Sequence, residues 1–411
     1  MSTPSNAHAS HDASRPAAYQ QQIYQNGLKG EKPRFPFDAA QWAPLAKEVL
    51  PADAWGYVHG DAGTRGTEDA NLAAFKKWGL VPNRLRGFKQ VDLTTEVVGI
   101  KLANPLVIAP VGVLQIFHDQ KELAVARAGA RVNVPYTLSS AAASSIEEAA
   151  EASGPGLRFF QLYWPSNERN NLTASMLKRA KAAGYRALVV TLDTYILGWR
   201  PEDQDHAYNP FLKPDTVGVQ IGFTDPVFRQ IVKDELEHEV EDDLGAAAAL
   251  WSKTIFPGYS HEWEDLKFLK EHWDGPIILK GIQTVADAQK AVEFGMDGIV
   301  VSNHGGRQVD GCVASLDMLR DISEAVGDKL DILFDSGIRC GTDIAKALAL
   351  GAKAVLVGRP FVYGLAFGGQ AGVEHVLKSL LGELDLSLQL GGYASVSKKD
   401  LSVENLRRTD A

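Results

Sequence analysis

Eight short runs of aliphatic and β-branched residues alternate with stretches of helical length between Pro105 and Pro360. They are 105–110, 135–140, 157–164, 187–193, 276–282, 298–303, 331–337 and 354–360. The runs do not alternate between apolar and polar residues, as expected of parallel strands buried on both faces. The stretches between them carry the apolar spacing of amphipathic helices. Eight such units over roughly 250 residues predict an α/β protein, a closed (β/α)8 TIM barrel. The alternative is an open doubly wound sheet, which usually has fewer strands.

The barrel units occupy only part of the predicted domain, 37–390. Helical patterns at 39–50 and 70–80 precede them, separated by a proline and several glycines, and predict an N-terminal helical extension. Residues 1–36 are polar, so we expect an arm that is disordered or wrapped over a neighbouring subunit. Residues 391–411 are interpreted as a C-terminal tail.

One gap breaks the rhythm of the units. Residues 194–260 follow the fourth run and contain no clear barrel element. The segment is too long for an ordinary loop, and it leaves the carboxyl end of a strand, where barrels of this kind place their active sites. We therefore predict an active-site lid, partly helical within 225–243.

Charge and composition exclude several classes of partner. The formal net charge of −9 disfavours nucleic acid, which would need a basic face. The two cysteines, Cys312 and Cys340, form no metal-binding pattern, and no apolar run reaches the length of a membrane span. A cytoplasmic protein with no metal, membrane or nucleic-acid partner is expected.

The ends of the seventh and eighth runs carry glycine and arginine together. Asp335, Gly337 and Arg339 follow the seventh run, and Gly358 and Arg359 follow the eighth. Glycine lets backbone N–H groups approach an anion, and arginine supplies charge with a forked pair of donors. One such loop is as consistent with a structural turn as with a binding site. Two at neighbouring strand ends predict a phosphate site.

Four further polar residues stand at strand ends. Ser139, Gln161 and Thr191 could each merely satisfy backbone groups, but together in one barrel mouth they could hydrogen-bond the edge of a planar heterocycle. Lys280 ends a buried run, where an unpaired ammonium group would be costly. It suits a site that develops negative charge, such as a reduced flavin.

The sharpest candidates follow the sixth run. His304 opens a glycine-rich turn, and a histidine near neutral pKa can take a proton from a substrate. Asp193, at the same face, could orient its ring and stabilise its charged form. Arg307 is placed to bind a carboxylate through two hydrogen bonds. Arg200 could be a second residue that binds this carboxylate, or a contact within the lid.

The motifs Ser302–Gln308, Asp335–Arg339 and Gly358–Pro360 resemble those of the FMN-dependent L-2-hydroxy acid oxidases. That family includes glycolate oxidase, lactate oxidase, lactate monooxygenase, mandelate dehydrogenase and flavocytochrome b2. The resemblance covers about residues 37–386. It implies FMN as cofactor, a small 2-hydroxy acid and molecular oxygen as partners, and assembly as a homotetramer or homo-octamer.

The resemblance also implies roles for individual residues. His304 would be the active-site base, Asp193 its partner, and Lys280 the group that stabilises the reduced flavin. Substrate contacts are expected from Tyr57, Tyr163, Arg200 and Arg307, and Tyr163 would also contact the flavin and belong to the catalytic residues. FMN contacts are expected from Pro110, Val111, Gly112, Ser139, Gln161, Thr191, Lys280, Ser302, Asp335, Gly337, Arg339, Gly358 and Arg359.

Departures from glycolate oxidase indicate the substrate. Ala141 stands where glycolate oxidase has tryptophan, and Val111 and Gly112 replace a common Thr-Ala pair, as in lactate monooxygenase. With the long lid, they predict oxidation of L-lactate to acetate, CO2 and water through retained pyruvate. The alternatives are an oxidase releasing pyruvate and hydrogen peroxide, an enzyme using a quinone or cytochrome acceptor, a flavin-binding barrel without turnover, and a general phosphate-binding barrel.

Overall fold

A computed structural model describes residues 15–409, and its centre is the predicted closed barrel of eight parallel strands. Each strand pairs with its neighbours in the chain, and the last pairs with the first. The strands are β1 (Leu106–Ile108), β2 (Tyr136–Ser139), β3 (Arg158–Tyr163), β4 (Leu188–Thr191), β5 (Ile277–Ile282), β6 (Gly298–Val301), β7 (Asp331–Phe334) and β8 (Ala354–Val357). Every one lies inside a predicted run.

A helix follows each barrel strand and packs its apolar face outside the barrel. The helices are α1 (Lys121–Arg131), α2 (Ile146–Ser153), α3 (Asn170–Ala182), α4 (Leu266–His272), α5 (Val285–Glu293), α6 (Ser315–Val326), α7 (Gly341–Ala349) and α8 (Arg359–Gly391). Local signals fix their ends: Ser145 and Glu148 form a reciprocal capping box at the start of α2. Within residues 15–409, no helix combines the length and apolar character needed to cross a bilayer.

In seven of the eight barrel strands, all but β2, successive residues enter two different apolar clusters. In β1, Val107 joins the cluster inside the barrel, whereas Leu106 and Ile108 join the cluster between strands and helices. This two-sided burial explains why the strand runs show no polar alternation. A hairpin of Thr95–Val97 and Ile100–Leu102 contributes further side chains to the interior cluster.

The N-terminal extension is helical, as predicted, but it contains one helix more than the sequence pattern suggested. Helices span Trp42–Val49, Ala52–His59 and Gly66–Lys76. The middle helix occupies part of the glycine-containing stretch that was expected to be a connection. Buried Ala54 and Val58 hold it in place, because packing outweighs the modest helix penalty of glycine.

The part of the arm that is described lies on the protein's own last helix. Residues Ala18–Leu28 form a helix. Arg15 pairs with Asp385 at 2.7 Å, and the Tyr19 hydroxyl lies 2.9 Å from His375 Nδ1, both partners being on α8. Residues 1–14 of the predicted arm lie outside the described residues, and its contact with another subunit stays a prediction.

The lid, residues 194–260, has helices and an apolar core of its own. Its helices are Pro201–Asp205, Gln220–Phe223, Pro226–Leu236 and Leu244–Ile255. The third lies within the segment predicted to be helical, and Asp225 caps it by accepting from Val227 N and Phe228 N. Phe228 packs edge-on against Trp251 of the fourth helix, so the lid is a packed layer with its own interior.

The C-terminal tail is also held against the extension. Leu406–Arg408 forms an antiparallel pair with Trp78–Leu80, directly after the last helix of the extension. The tail after α8 is therefore tied to the N-terminal part of the domain. Residues 410 and 411 lie outside the described part.

Glu122 of α1 provides a test of how the loops of the barrel mouth are held. It is fully buried and accepts hydrogen bonds from Leu114 N, Ala143 N and Ser144 Oγ. We expect Glu122→Ala to lower the free energy of unfolding by roughly 3 kcal/mol, because two buried N–H groups lose their acceptor. Urea denaturation measures the change. The exposed Glu151→Ala is the control, and equal midpoints for the two variants would contradict the assignment.

Candidate active site

The carboxyl ends of the barrel strands open into one cavity of about 1000 Å³, counting the part open to solvent. Most of the sequence-predicted site residues line it. They are Tyr57, Pro110, Val111, Gly112, Tyr163, Arg200, Lys280, His304, Arg307, Asp335, Gly337, Arg339, Gly358 and Arg359. The extension, the strand-end loops and the lid all contribute, so the cavity is formed by three parts of the chain.

His304 and Asp193 form a close pair at the wall of this cavity. His304 Nδ1 lies 2.8 Å from Asp193 Oδ1, and Thr194 Oγ1 lies 3.0 Å from both atoms. His304 sits at φ 57°, and its backbone N–H donates to Ser302 Oγ at 3.1 Å. Because Nδ1 faces Asp193, Nε2 is the nitrogen available to a ligand in the cavity.

Burial and charge set the protonation of this pair. Burial, together with the nearby Lys280 ammonium, lowers the pKa of His304 below its ordinary value although Asp193 opposes the shift. Asp193 is buried too, but the positive charges of His304 and Lys280 hold the pKa of its carboxyl below its ordinary value. At neutral pH the pair is therefore an ionised carboxylate beside a neutral imidazole, which can accept a proton on Nε2.

Two arginines line the cavity: Arg307 from the loop after β6 and Arg200 from the lid. Arg307 donates to Gly60 O at 2.7 Å, and its guanidinium lies 5.2 Å from the ring centroid of Tyr57. Burial, with Arg200 and Arg359 nearby, lowers the pKa of Arg307 to about 10, so it stays charged at neutral pH. Arg200, from the lid, donates to Arg307 O at 3.0 Å. Such a pair of cations suits a carboxylate ligand.

Tyr163 supplies a hydroxyl to the same cavity. Burial raises the pKa of Tyr163 above its ordinary value, and the neighbouring Tyr57 and Asp193 add to the shift. The phenol therefore stays protonated and can donate a hydrogen bond to a substrate oxygen.

Lys280 lies deeper in the barrel mouth. Its ammonium pairs with Asp335 Oδ2 at 3.3 Å and donates to Ser302 Oγ at 3.1 Å. Burial disfavours the ammonium, yet Asp335 and Asp193 outweigh it and raise the pKa of Lys280. A positive charge is thus fixed in the lining of the cavity, close to Asp193 of the histidine pair.

Three predicted cofactor residues form a buried row rather than part of the cavity lining. Ser139 Oγ donates to Gln161 Oε1 at 2.9 Å, and Gln161 Nε2 donates to Thr191 Oγ1 at 2.8 Å. They lie at the ends of β2, β3 and β4. The row has mutual partners, and its cofactor role stays a prediction.

The ends of β7 and β8 bring Gly337, Arg339, Gly358 and Arg359, the residues predicted to hold a phosphate group, into the lining of the same cavity. Gly358 has open space beside it, since an added Cβ would meet nothing nearer than Ala109 Cβ at 3.9 Å, and a side chain there would fill the cavity. Gly337 sits at φ 93°, and a Cβ added there would lie only 2.9 Å from Asn71 O. The open space beside Gly358, in a cavity also lined by Arg339 and Arg359, fits the phosphate group of FMN.

Both arginines of this corner are held by carboxylates that the sequence analysis did not single out. Arg359 pairs with Asp61 and, at 3.5 Å, with Glu68 Oε2, and Arg339 pairs with Glu68. These two carboxylates raise the pKa of Arg359 although burial opposes them. Asp61 and Glu68 come from the extension, in a stretch interpreted only as a separator and the start of a helix.

Thr194 and Gln308 were also missed as site residues. Gln308 ends the quoted Ser302–Gln308 motif. Its amide accepts from Arg200 Nη2 at 2.6 Å and donates to Asp193 O at 2.9 Å, so it joins the lid to the strand-end loop. Its place beside two predicted site residues was the available signal.

Comparison with known proteins agrees with this geometry. Residues 46–406 match the family model described as FMN-dependent dehydrogenase. The chain belongs to this family. FMN is therefore the cofactor, and the protein oxidises 2-hydroxy acids.

Relatives cover almost the whole chain. An FMN-dependent alpha-hydroxy acid dehydrogenase of Schizosaccharomyces pombe is 55% identical, over 97% of this chain and 98% of its own. An L-lactate oxidase of Lysinibacillus sphaericus is 40% identical, over 88% and 91%. Human 2-hydroxyacid oxidase 1 is 41% identical, over 86% and 92%. A crystal structure of mandelate oxidase aligns with a TM-score of 0.77 at 35% identity, over 88% and 96%.

The pH dependence of substrate oxidation tests the protonation of the histidine pair. A neutral His304 is the active form, so kcat/KM falls as the pH drops through the pKa of His304, which is lowered from its ordinary value by burial. Asp193→Asn removes the charge that raises this pKa. We expect the acid limb to move to lower pH while the plateau falls about 100-fold, the smaller end of what a general base contributes. A limb that moves to higher pH would contradict the assignment.

Proposed function

We propose that this protein is a lactate 2-monooxygenase, which converts L-lactate and oxygen to acetate, CO2 and water. The observation that carries the proposal is the cavity in which a neutral His304 lies with the partly buried Arg307 and the buried Arg200, under a lid with its own apolar core. This arrangement places a proton acceptor and two groups that can bind a carboxylate in one cavity, and a small 2-hydroxy acid requires both.

The chain's own residues bind and orient the substrate. Arg307 and Arg200 hold the carboxylate, and Tyr163 donates to a substrate oxygen. His304 Nε2 then receives the proton of the substrate hydroxyl, and Asp193 stabilises the imidazolium that results. FMN, when bound, supplies the acceptor for the α-hydrogen, which leaves as a hydride equivalent. Lys280 provides positive charge near the place where that acceptor gains electrons.

An aromatic stack joins the lid to the catalytic side of the cavity. The Tyr163 and Phe256 ring centroids lie 5.0 Å apart, and those of Phe256 and Phe211 lie 5.5 Å apart. Phe211 is fully buried and lines the cavity together with Phe256. A lid packed in this way favours retention of pyruvate beside the hydrogen peroxide formed with it. Their reaction gives acetate, CO2 and water, so product identity depends on release rates.

The lining of the cavity supports a small substrate without a polar side chain. Ala141, Val111 and Phe117 lie around the cavity with the lid phenylalanines. The methyl group of lactate is attached to the carbon that bears the hydroxyl. These uncharged side chains offer apolar contacts that suit such a methyl group. The relative named L-lactate oxidase supports the same substrate.

The second candidate is an oxidase that releases pyruvate and hydrogen peroxide. The relatives named L-lactate oxidase and 2-hydroxyacid oxidase favour it. It uses the same residues and differs only in how quickly the lid lets the products leave.

Removal of the proposed base is the first test. We expect His304→Ala to bind FMN normally, because the residues predicted to hold its phosphate are unchanged, and to slow anaerobic flavin reduction by L-lactate by at least about 100-fold. Stopped-flow absorbance measures reduction, and the flavin spectrum after desalting measures retention. His272→Ala, on the outer helix α4, is the matched control. Flavin reduction at the native rate in His304→Ala would contradict the assignment of His304 as the base.

The lid hypothesis is tested by a product balance in air. The native enzyme should give nearly stoichiometric acetate and CO2 with little free peroxide. Phe211→Ala opens the aromatic stack, so we expect pyruvate and hydrogen peroxide to rise at the expense of acetate, by about tenfold, the usual effect of losing some of a large apolar contact. The control is Leu244→Ala, an exposed lid residue.

Two outcomes distinguish the candidates. Equimolar pyruvate and peroxide from the native enzyme, measured with catalase present in a parallel sample, would make the protein an oxidase. An unchanged acetate yield in Phe211→Ala would show that this stack does not control release.

A further inference from the structure

One side-chain amide fastens segment 193–200, where the chain passes from β4 into the lid, to the loop after β6. Gln308 Oε1 accepts from Arg200 Nη2 at 2.6 Å and from Gly198 N at 3.3 Å. Gln308 Nε2 donates to Asp193 O and to Ile196 O, each at 2.9 Å. Two donors therefore face the amide oxygen and two carbonyl acceptors face the amide nitrogen, so the amide has only one satisfactory orientation.

The same set of partners selects glutamine over other polar side chains. A carboxylate at position 308 has no donor for the two carbonyl groups, and an ammonium group has no acceptor for Arg200 and Gly198. Gln308 is only partly exposed, so the loss of a partner there carries a cost. An amide is therefore the terminal group that satisfies all four partners.

The backbones of the two segments are also in close contact. A Cβ added to Gly198 would lie 2.5 Å from Gln308 O and 2.7 Å from Arg307 O. Arg200 Nε donates to Arg307 O at 3.0 Å. The guanidinium of Arg200 is thus held at Nε and at Nη2, and both acceptors are amide oxygens without formal charge.

The positive charge of Arg200 stays available because these partners are neutral. Within residues 15–409, neither Arg200 nor Arg307 forms an ion pair. Arg339 and Arg359, in the same cavity lining, are in contrast paired with carboxylates. Asp203 of the lid is close enough for both charges to oppose the rise in its pKa that burial causes, yet it pairs with neither. Two cations without an ionic partner in the described chain suit a ligand that brings its own carboxylate.

We propose that Gln308 is a positioning residue for substrate binding, whose neutral amide holds the Arg200 guanidinium at the cavity and leaves its charge for the substrate carboxylate. Among the described residues, Gln308 is not one of those that line the cavity, so it acts through Arg200. This role rests on the proposed binding of the carboxylate by Arg200. It adds the requirement that position 308 be uncharged, which the proposed function alone does not make.

The role is tested by separating substrate binding from chemistry in the FMN-loaded enzyme. In anaerobic stopped-flow reduction by L-lactate, we expect Gln308→Met to raise the apparent Kd about tenfold, because Arg200 loses one charge-assisted hydrogen bond. The limiting rate of flavin reduction should stay near the native value, because the Asp193 carboxylate keeps His304 and Thr194 as partners. A lower limiting rate with an unchanged Kd would overturn the proposal.

The charge requirement is tested by Gln308→Glu. This variant keeps acceptors for Arg200 but adds a carboxylate that competes with that of the substrate, so we expect Kd to rise further, by roughly 100-fold over the native value. Gln230→Glu, which adds the same charge at an exposed position of the lid, is the matched control and should leave Kd unchanged. Equal Kd values for Gln308→Met and Gln308→Glu, or a matching rise in Gln230→Glu, would overturn the role of the neutral amide.

A double-mutant cycle shows whether Gln308 acts through Arg200. Arg200→Ala should raise Kd by itself, and Gln308→Met added to it should change Kd little further. Additive effects would overturn the route through Arg200. An unchanged Kd in Arg200→Ala would overturn the carboxylate role in the proposed function and this proposal with it. A raised Kd in Arg200→Ala beside a native Kd in Gln308→Met would overturn this proposal alone.

Gly198→Ala provides a second approach if Gln308→Met folds poorly, which flavin retention after desalting reports. It leaves the amide in place, but the added methyl group pushes segment 193–200 away from the loop after β6. We expect Kd to rise more than the limiting rate falls. A native Kd in Gly198→Ala would overturn the inference that contact between these two segments sets the position of Arg200.

Discussion

Burial of positive charge in the barrel mouth is the constraint on which the site depends. Moving an ammonium or guanidinium group out of water costs several kcal/mol unless an anion compensates it. Lys280 finds Asp335 at the end of the next strand but one. Arg359 and Arg339, in contrast, find their carboxylates in Asp61 and Glu68, which belong to the N-terminal extension. The barrel therefore supplies the cations, and a segment outside it supplies the charges that make their burial possible.

The central fold and most of the cavity lining could be predicted because both follow from local rules. A strand buried on two faces is expected to be apolar at successive positions, and every barrel strand except β2 carries that pattern. In a closed parallel barrel the strand ends meet at one mouth, so residues such as His304 and Arg359, far apart in the chain, were expected together. The rule locates a residue at the mouth without saying which neighbour it contacts.

The contacts that were missed depend on the arrangement of separate segments. Glu68 looks like an ordinary acidic residue in the first turn of a helix, and only the docking of that helix places it on Arg339. Gln308 joins the lid to the loop after β6, which no spacing in the sequence reveals. The helix at Ala52–His59 was missed for a related reason, since its stability comes from tertiary packing rather than from its own composition.

The amide pair Asn71–Asn303 shows that contacts between the extension and the barrel loops must form in a fixed order during synthesis. Each side chain donates to the other, at 2.8 and 2.7 Å, across 232 positions of the chain. During synthesis the extension leaves the ribosome long before the loop that carries Asn303 and His304 exists. The side-chain amide of Asn71 therefore has no partner until Asn303 has been synthesised. The turn that carries His304 can be fixed only after six of the eight strands have been made. A nascent chain released just before this loop would carry most of a barrel but would lack His304 and Arg307.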